Sequence, residues 1–147
     1  MARYTDIFTE LVRLQIELWN DLDAHLESHV GISLAQFQAL SAIRAADGGA
    51  RVQDISDELV ITVGASSKVV DRLERDGLAV RSANPNDRRS SIVSLSEGGT
   101  RALEAADEAS EKHLQQLIGA ELPEASAGEL HRQLTLLRAT TRKVVLP

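Results

Sequence analysis

Two adjacent arginines, Arg88 and Arg89, stand in the run Asn84-Pro-Asn-Asp-Arg-Arg-Ser90. Asn, Pro and Asp there are turn chemistry, and Pro85 bars a central strand, so the pair belongs at the tip of an exposed hairpin. Upstream, Thr62, Gly64, Ser67 and Lys68 open a segment that continues through Asp71, Arg72 and Arg75 to Gly77. This combination suits the gripping of duplex DNA. A helix fits a major groove about 12 Å wide, and small polar residues at its start permit close approach to base edges. Thr62, Gly64, Ser67 and Lys68 are the candidates for that role. Arg72, one turn further on, is placed to hold a phosphate, which positions a protein without reading sequence. An arginine on a hairpin tip suits the narrow minor groove of A·T-rich DNA, and Arg88 is the first choice for that insertion.

The whole chain carries a net charge of −6, which argues against a polyanionic partner until its distribution is considered. Residues 60 to 101 hold seven basic side chains against five acidic ones, so this segment is at +2 and the remainder at −8. At ordinary salt a phosphate feels charge within roughly 10 Å, so a locally positive segment can serve on an acidic protein. With 147 residues there is room for one compact domain, or one domain with extended helices. Hydrophobic residues make up 43% but aromatic ones only 3%, so Leu, Val, Ile and Ala must fill the core. No apolar run approaches the roughly eighteen residues of a membrane span, and a cytoplasmic protein without membrane contact is expected. Lack of cysteine removes disulfides, thiol catalysis and cysteine-based redox sensing. No nucleophile with its base, phosphate loop or glycine fingerprint is present, so neither enzymatic activity nor a cofactor is expected.

The elements that must position these residues follow from spacing. Thr5 to His25 lacks Gly and Pro and sets Ile7, Leu11, Leu14, Leu18 and Leu22 on one stripe, which predicts a long helix, part of it meeting another chain. Ser33 and Gln36 form a capping box for a second helix with Phe37, Leu40 and Ile43 inward. A short third helix buries Val52, Ile55 and Leu59. Thr62 caps a fourth, Val63 to Asp76, whose inner side is Ser66, Val69, Val70 and Leu73 and whose end is closed by Gly77. Two short helices joined by a tight turn are the helix-turn-helix arrangement. Leu78 to Ser82 and Ser90 to Leu95 predict the two strands of a wing. Ser96 caps a helix to Leu117, Gly119 to Pro123 make a break, and a last helix carries Leu130, Leu134, Leu137, Thr141 and Val144 at near-heptad spacing.

Asp71-Arg-Leu-x-x-x-Gly-Leu78, Asn84-Pro-x-Asp-x-Arg-Ser90 and then Val93-x-Leu-Ser96 ahead of a glycine resemble the MarR family of bacterial transcription regulators. The resemblance implies a mainly α fold: a winged helix-turn-helix lobe with a two-stranded β wing, over residues 33–98, within a single MarR-type domain. Residues 1–31 and 99–147 would form the helical dimerisation region. It also implies a homodimer on double-stranded DNA, a repressor of a pseudo-palindromic operator, and a pocket that takes small aromatic acids or other phenolic compounds. Arg89 is then the arginine of the Asp-x-Arg motif, with Asp87, or Asp71 on the recognition helix, expected to steady it. Three positions depart from the family pattern: Val60 where the turn often has glycine, Ser56 where alanine is usual, and Ser66 where an apolar residue commonly packs.

Other roles compete for the remaining chemistry. Trp19 as a wall, with Arg13 or His25 for a carboxylate, is the candidate effector site. His25 and His29 lie four apart, a spacing that puts two imidazoles on one helical face, but no cysteine joins them and no metal site is assigned. A metal-responsive regulator of the same fold, or a winged-helix module that binds protein and leaves the basic tip idle, are the alternatives.

Overall fold

The computed structural model describes residues 1–145, with side-chain surroundings to residue 143. It divides into two compact units, Met1–Glu111 and the residues from Lys112 onward. Within the first unit α1 packs on α2.

In the first unit α1 (Tyr4–His29) is followed by α2 (Leu34–Ala45), α3 (Val52–Leu59), α4 (Val63–Arg75), and an antiparallel pair, β1 (Ala79–Ala83) and β2 (Ser91–Leu95). α5 (Glu97–Ile118) begins in this unit, and α6 (Glu124–Val145) lies wholly in the second. The mainly helical architecture with a two-stranded wing is the one expected. Only the ends differ: α1 runs four residues past His25, because Gly31, at φ 82°, closes it through its N–H to the Leu26 carbonyl at 3.0 Å. Each strand begins one residue later than its pattern indicated.

Leu26, Leu40, Ile55, Val70, Leu73, Val93 and Leu103 form the buried centre, supplied by the five helices α1 to α5 and by β2. Aliphatic side chains do this work, as the scarcity of aromatics required. Phe37, Val52 and Leu59, expected inside, are only half-buried. On α6 Leu134 is half-buried, Leu130, Leu137 and Thr141 are exposed, and Val144 lies outside the described side chains.

Local chemistry seats α4. Ser33 accepts from the Gln36 N–H and the Gln36 side chain accepts from the Ser33 N–H, completing the expected capping box. The Gln36 amide then donates to Asp76 at 2.9 Å, joining the start of α2 to the end of α4. Gly77, at φ 72°, lets the Leu78 N–H turn back to the Leu73 carbonyl at 2.8 Å. Ser96 caps α5 by accepting from Gly99 at 2.9 Å and donates to the Gly77 carbonyl at 2.6 Å. Gly99 is needed there because a methyl group would collide with the Leu78 carbonyl.

The three departures from the family pattern are accommodated within the helix-turn-helix. Buried Ser56 donates to the Ile61 carbonyl at 2.6 Å, bracing the turn. Ser66, fully buried, donates to the Val52 carbonyl at 3.2 Å, fastening α4 to the start of α3. Val60 adopts the left-handed conformation, φ 56° and ψ 47°, with its side chain 75% exposed. A β-branched residue bears strain there of about 1–2 kcal/mol, with no burial in return. Val60→Gly is therefore expected to raise stability by about 0.5–1 kcal/mol once glycine's greater unfolded-state freedom is subtracted, read as a higher urea midpoint. An unchanged or lower midpoint would show that the turn is not strained.

Candidate nucleic-acid interface

α4 is the helix of this site. Its cap is Thr62, whose hydroxyl oxygen accepts from the Ala65 N–H at 3.1 Å. The Thr62 hydroxyl is thus partly committed to helix capping. Gly64 is exposed with open space around it, Ser67 is half-exposed, and Lys68 and Arg72 project into solvent. Ser66, Val69, Val70 and Leu73 are buried on the opposite side. The division into an apolar inner face and a small, polar, cationic outer face is the one its sequence requires.

The wing leaves this lobe as β1 and β2, paired from Ala79 with Leu95 to Ala83 with Ser91. Ala50 adds a bridge to Val93, with N–H to carbonyl distances of 2.8 and 2.7 Å, anchoring the base of the wing on the segment before α3. The tip is organised by its own side chains. The Asn84 side-chain oxygen accepts from the Asn86 N–H at 3.0 Å, and its amide donates to the Ser90 hydroxyl at 2.9 Å. Asp87 accepts from the Arg89 N–H at 2.9 Å. Both Arg88 and Arg89 are exposed.

Wing and helix are joined by a residue that the motif reading missed. Arg81, on β1, donates through Nη1 to Asp71 at 2.7 Å and to Glu74 at 2.6 Å, both on α4. Its side chain is only 26% exposed. Partial burial works against the guanidinium's charge, but the two carboxylates outweigh it and hold its pKa above the ordinary value. The expectation that Asp71 steadies Arg89 is therefore corrected: the Asp71 carboxylate holds Arg81, and Asp87 alone reaches residue 89, through its backbone N–H. The missed signal was strand alternation. Arg81 falls on the same side as buried Ala79, where a charge needs partners, and Asp71 and Glu74, three apart on one helical face, supply them.

Between α3, α4 and the wing lies a groove of about 530 Å³, lined by Arg51, Ser67, Arg81, Asp87, Arg89 and Ser90 among others. Arg51 precedes α3 and binds Asp54 through Nε at 3.1 Å and Nη2 at 2.7 Å, while its backbone N–H donates to the same carboxylate at 2.9 Å. The guanidinium and then the N–H hold the Asp54 carboxyl below its usual range. Because that pKa is lowered on folding, the stability the pair contributes is present at neutral pH. It fades only as pH falls through the lowered value.

The residues expected to form an effector site are not brought together. Arg13 is paired with Glu10 at 3.3 Å and lines a groove of about 650 Å³ along the first half of α1. Trp19 lines a separate one of about 270 Å³ with Gln15, Ile16 and Asn20. His25 is in neither, and its ring stacks on that of His29 with centroids 4.1 Å apart. No cluster of three or more metal-ligating side chains occurs among the described residues.

The model of the MarR family matches residues 30–90. The multiple antibiotic resistance protein MarR of Escherichia coli K12 is 31% identical over 153 residues, covering 99% of this chain and 96% of that protein. This chain belongs to the MarR family of transcriptional regulators. In three dimensions it is similar to a cysteine-to-serine mutant of E. coli MarR complexed with operator DNA, at a TM-score of 0.71 and 27% identity, covering 99% of this chain and all of the other. It also shares its fold with CouR of Rhodococcus jostii RHA1 bound to p-coumaroyl-CoA, at a TM-score of 0.77 and 19% identity, covering 93% and 94% of the two chains. Within the MarR family's winged helix, Asn84 makes two of the side-chain hydrogen bonds that shape the tip here, beside the one made by Asp87. Asn84→Ala is expected to weaken DNA binding several-fold while leaving the melting temperature within about a degree, since two hydrogen bonds at a loop tip, one exposed and one part-buried, contribute little to the global fold. Unchanged affinity alongside faster amide exchange in the tip would show that its order is irrelevant to binding.

Proposed function

We propose that this MarR-family chain acts as a homodimeric repressor on a pseudo-palindromic operator and is released or modulated by a small aromatic or phenolic ligand. The observation that carries the DNA reading is the tie between Arg81 and the Asp71/Glu74 pair, which fixes an arginine-tipped wing beside the polar face of α4. Thr62, Gly64, Ser67 and Lys68 then serve the major groove, Arg72 a phosphate, and Arg88 and Arg89 the adjoining minor groove and its backbone. The E. coli relative seated on operator DNA supports the same use of the lobe.

Exposed apolar side chains support a second copy. Tyr4, Ile7, Phe8, Leu11 and Leu14 on α1 and Leu130, Leu136 and Leu137 on α6 are open to solvent in the single chain. Such residues at helical spacing are what a helical dimer interface buries. Two recognition helices would then stand about one DNA turn, roughly 34 Å, apart, and a ligand that favours another spacing lowers affinity by that preference alone. CouR with its bound p-coumaroyl thioester supports a phenolic class of effector. Among the described residues no helix is long and apolar enough to cross a membrane. The proposed place of action is the bacterial cytoplasm, and no catalytic step is required.

The test begins with the promoter fragment that the full-length protein retains from its own genome. On that duplex, Arg88→Ala or Arg89→Ala is expected to lower affinity tenfold or more and to flatten its salt dependence. Wild-type affinity in both variants, with little response to salt, would rule out wing contact.

A further inference from the structure

A helix in the major groove and a wing in the adjoining minor groove leave one path for the sugar-phosphate strand that separates the two grooves: it must pass between them. The space between α4 and the wing is the groove lined by Arg51, Ser67, Arg81, Asp87, Arg89 and Ser90. Arg81 forms its base, with its charge already answered by Asp71 and Glu74. The Asp87 carboxylate is engaged by the Arg89 N–H. The cations left to face a strand in this groove are Arg89 on the wing side and Arg51 at the start of α3.

Arg51 is an unusual residue for its position. The residue before a helix is ordinarily Ser, Thr, Asp or Asn, whose side chain accepts from the first turn, and a guanidinium cannot accept. Its neighbour Asp54 performs the reciprocal half of the cap by accepting from the Arg51 N–H. The Arg51 guanidinium uses one edge on Asp54, yet its side chain is still 53% exposed and lines the groove. As a stabilising pair this is worth little, because both partners are well solvated.

We infer that Arg51 is a further phosphate-binding residue, gripping with Arg89 the backbone strand that runs between recognition helix and wing. Asp54 orients the guanidinium in advance, so that no side-chain ordering is required when the strand arrives. The inference rests on the DNA reading above and adds a contact from outside α4 and the wing.

Phosphate contacts are independent of sequence, so a mixed-sequence duplex of roughly 24 base pairs, more than two turns of DNA, suffices as the probe. It carries a fluorescent end and is titrated with the full-length protein by anisotropy between low and moderate salt. Each phosphate-binding cation lost should reduce the slope of log affinity against log salt by about 0.9, so a substitution present in both protomers of the homodimer should reduce it by about 1.8. Arg51→Gln is expected to show that reduction, and Arg51→Lys to keep most of the slope. Asp54→Asn removes the same ion pair but leaves the cation and an oxygen to accept from the Arg51 N–H. The carboxylate charge it removes from beside the strand offsets the lost pre-orientation, so its salt slope is expected to match that of wild type. A wild-type slope in Arg51→Gln overturns the inference. So does an equal loss in Asp54→Asn, which would assign the effect to a disturbed α3. A wild-type protein with no salt-dependent binding to any duplex would instead refute the DNA reading itself.

Discussion

The ion pairs from Arg81 to Asp71 and Glu74 are the constraint on which the interface depends. A two-stranded wing is marginal by itself, since an isolated hairpin buries too little to hold one orientation. Here its base is fixed by the Ala50 bridge to Val93 and its flank by a cation whose two acceptors lie on the recognition helix. The arrangement occupies two of the acidic residues that would otherwise repel DNA. Turned toward Arg81, Asp71 and Glu74 serve as struts, which reconciles a recognition helix carrying several carboxylates with a polyanionic partner. The same tie makes the groove beneath the wing a defined space.

The helix-turn-helix shows how three unusual residues can be compatible with an ordinary fold. Polar Ser56 and Ser66 sit at buried positions, yet the first hydroxyl reaches the Ile61 carbonyl in the turn and the second the Val52 carbonyl at the start of α3. Together they bind α3, the turn and α4 into one rigid piece. Val60, by contrast, keeps a strained backbone without compensating burial. Adequate bracing around the turn is what allows that strain to persist.

The elements were legible because each carried its own local signal. The Ser33/Gln36 box, Thr62 ahead of Val63, Gly77 after Arg75 and the turn chemistry from Asn84 to Ser90 all fall where sequence places them. The outward residues of α4 follow from the helical period once its buried stripe is known. What stayed hidden depends on contacts between elements. Arg81 reads as one more strand cation until its side of the strand is matched to a particular pair of carboxylates. Arg13, Trp19 and His25 lie on one helix, but in the single chain their positions along and around it give them different surroundings. Arg51 escaped notice because it precedes the helix-turn-helix motif and reaches the groove only through the fold.

The most direct measurement is a double-mutant cycle on the affinity of full-length protein for the DNA it retains from its genome, pairing Arg81→Met with the combined Asp71→Asn and Glu74→Gln change. If the tie is what holds wing and recognition helix as one surface, the loss caused by Arg81→Met in the wild-type background should largely disappear once the carboxylates are gone, leaving a coupling of about 1 kcal/mol or more. Equal losses in both backgrounds would contradict the account, since Arg81 would then act on DNA without its partners.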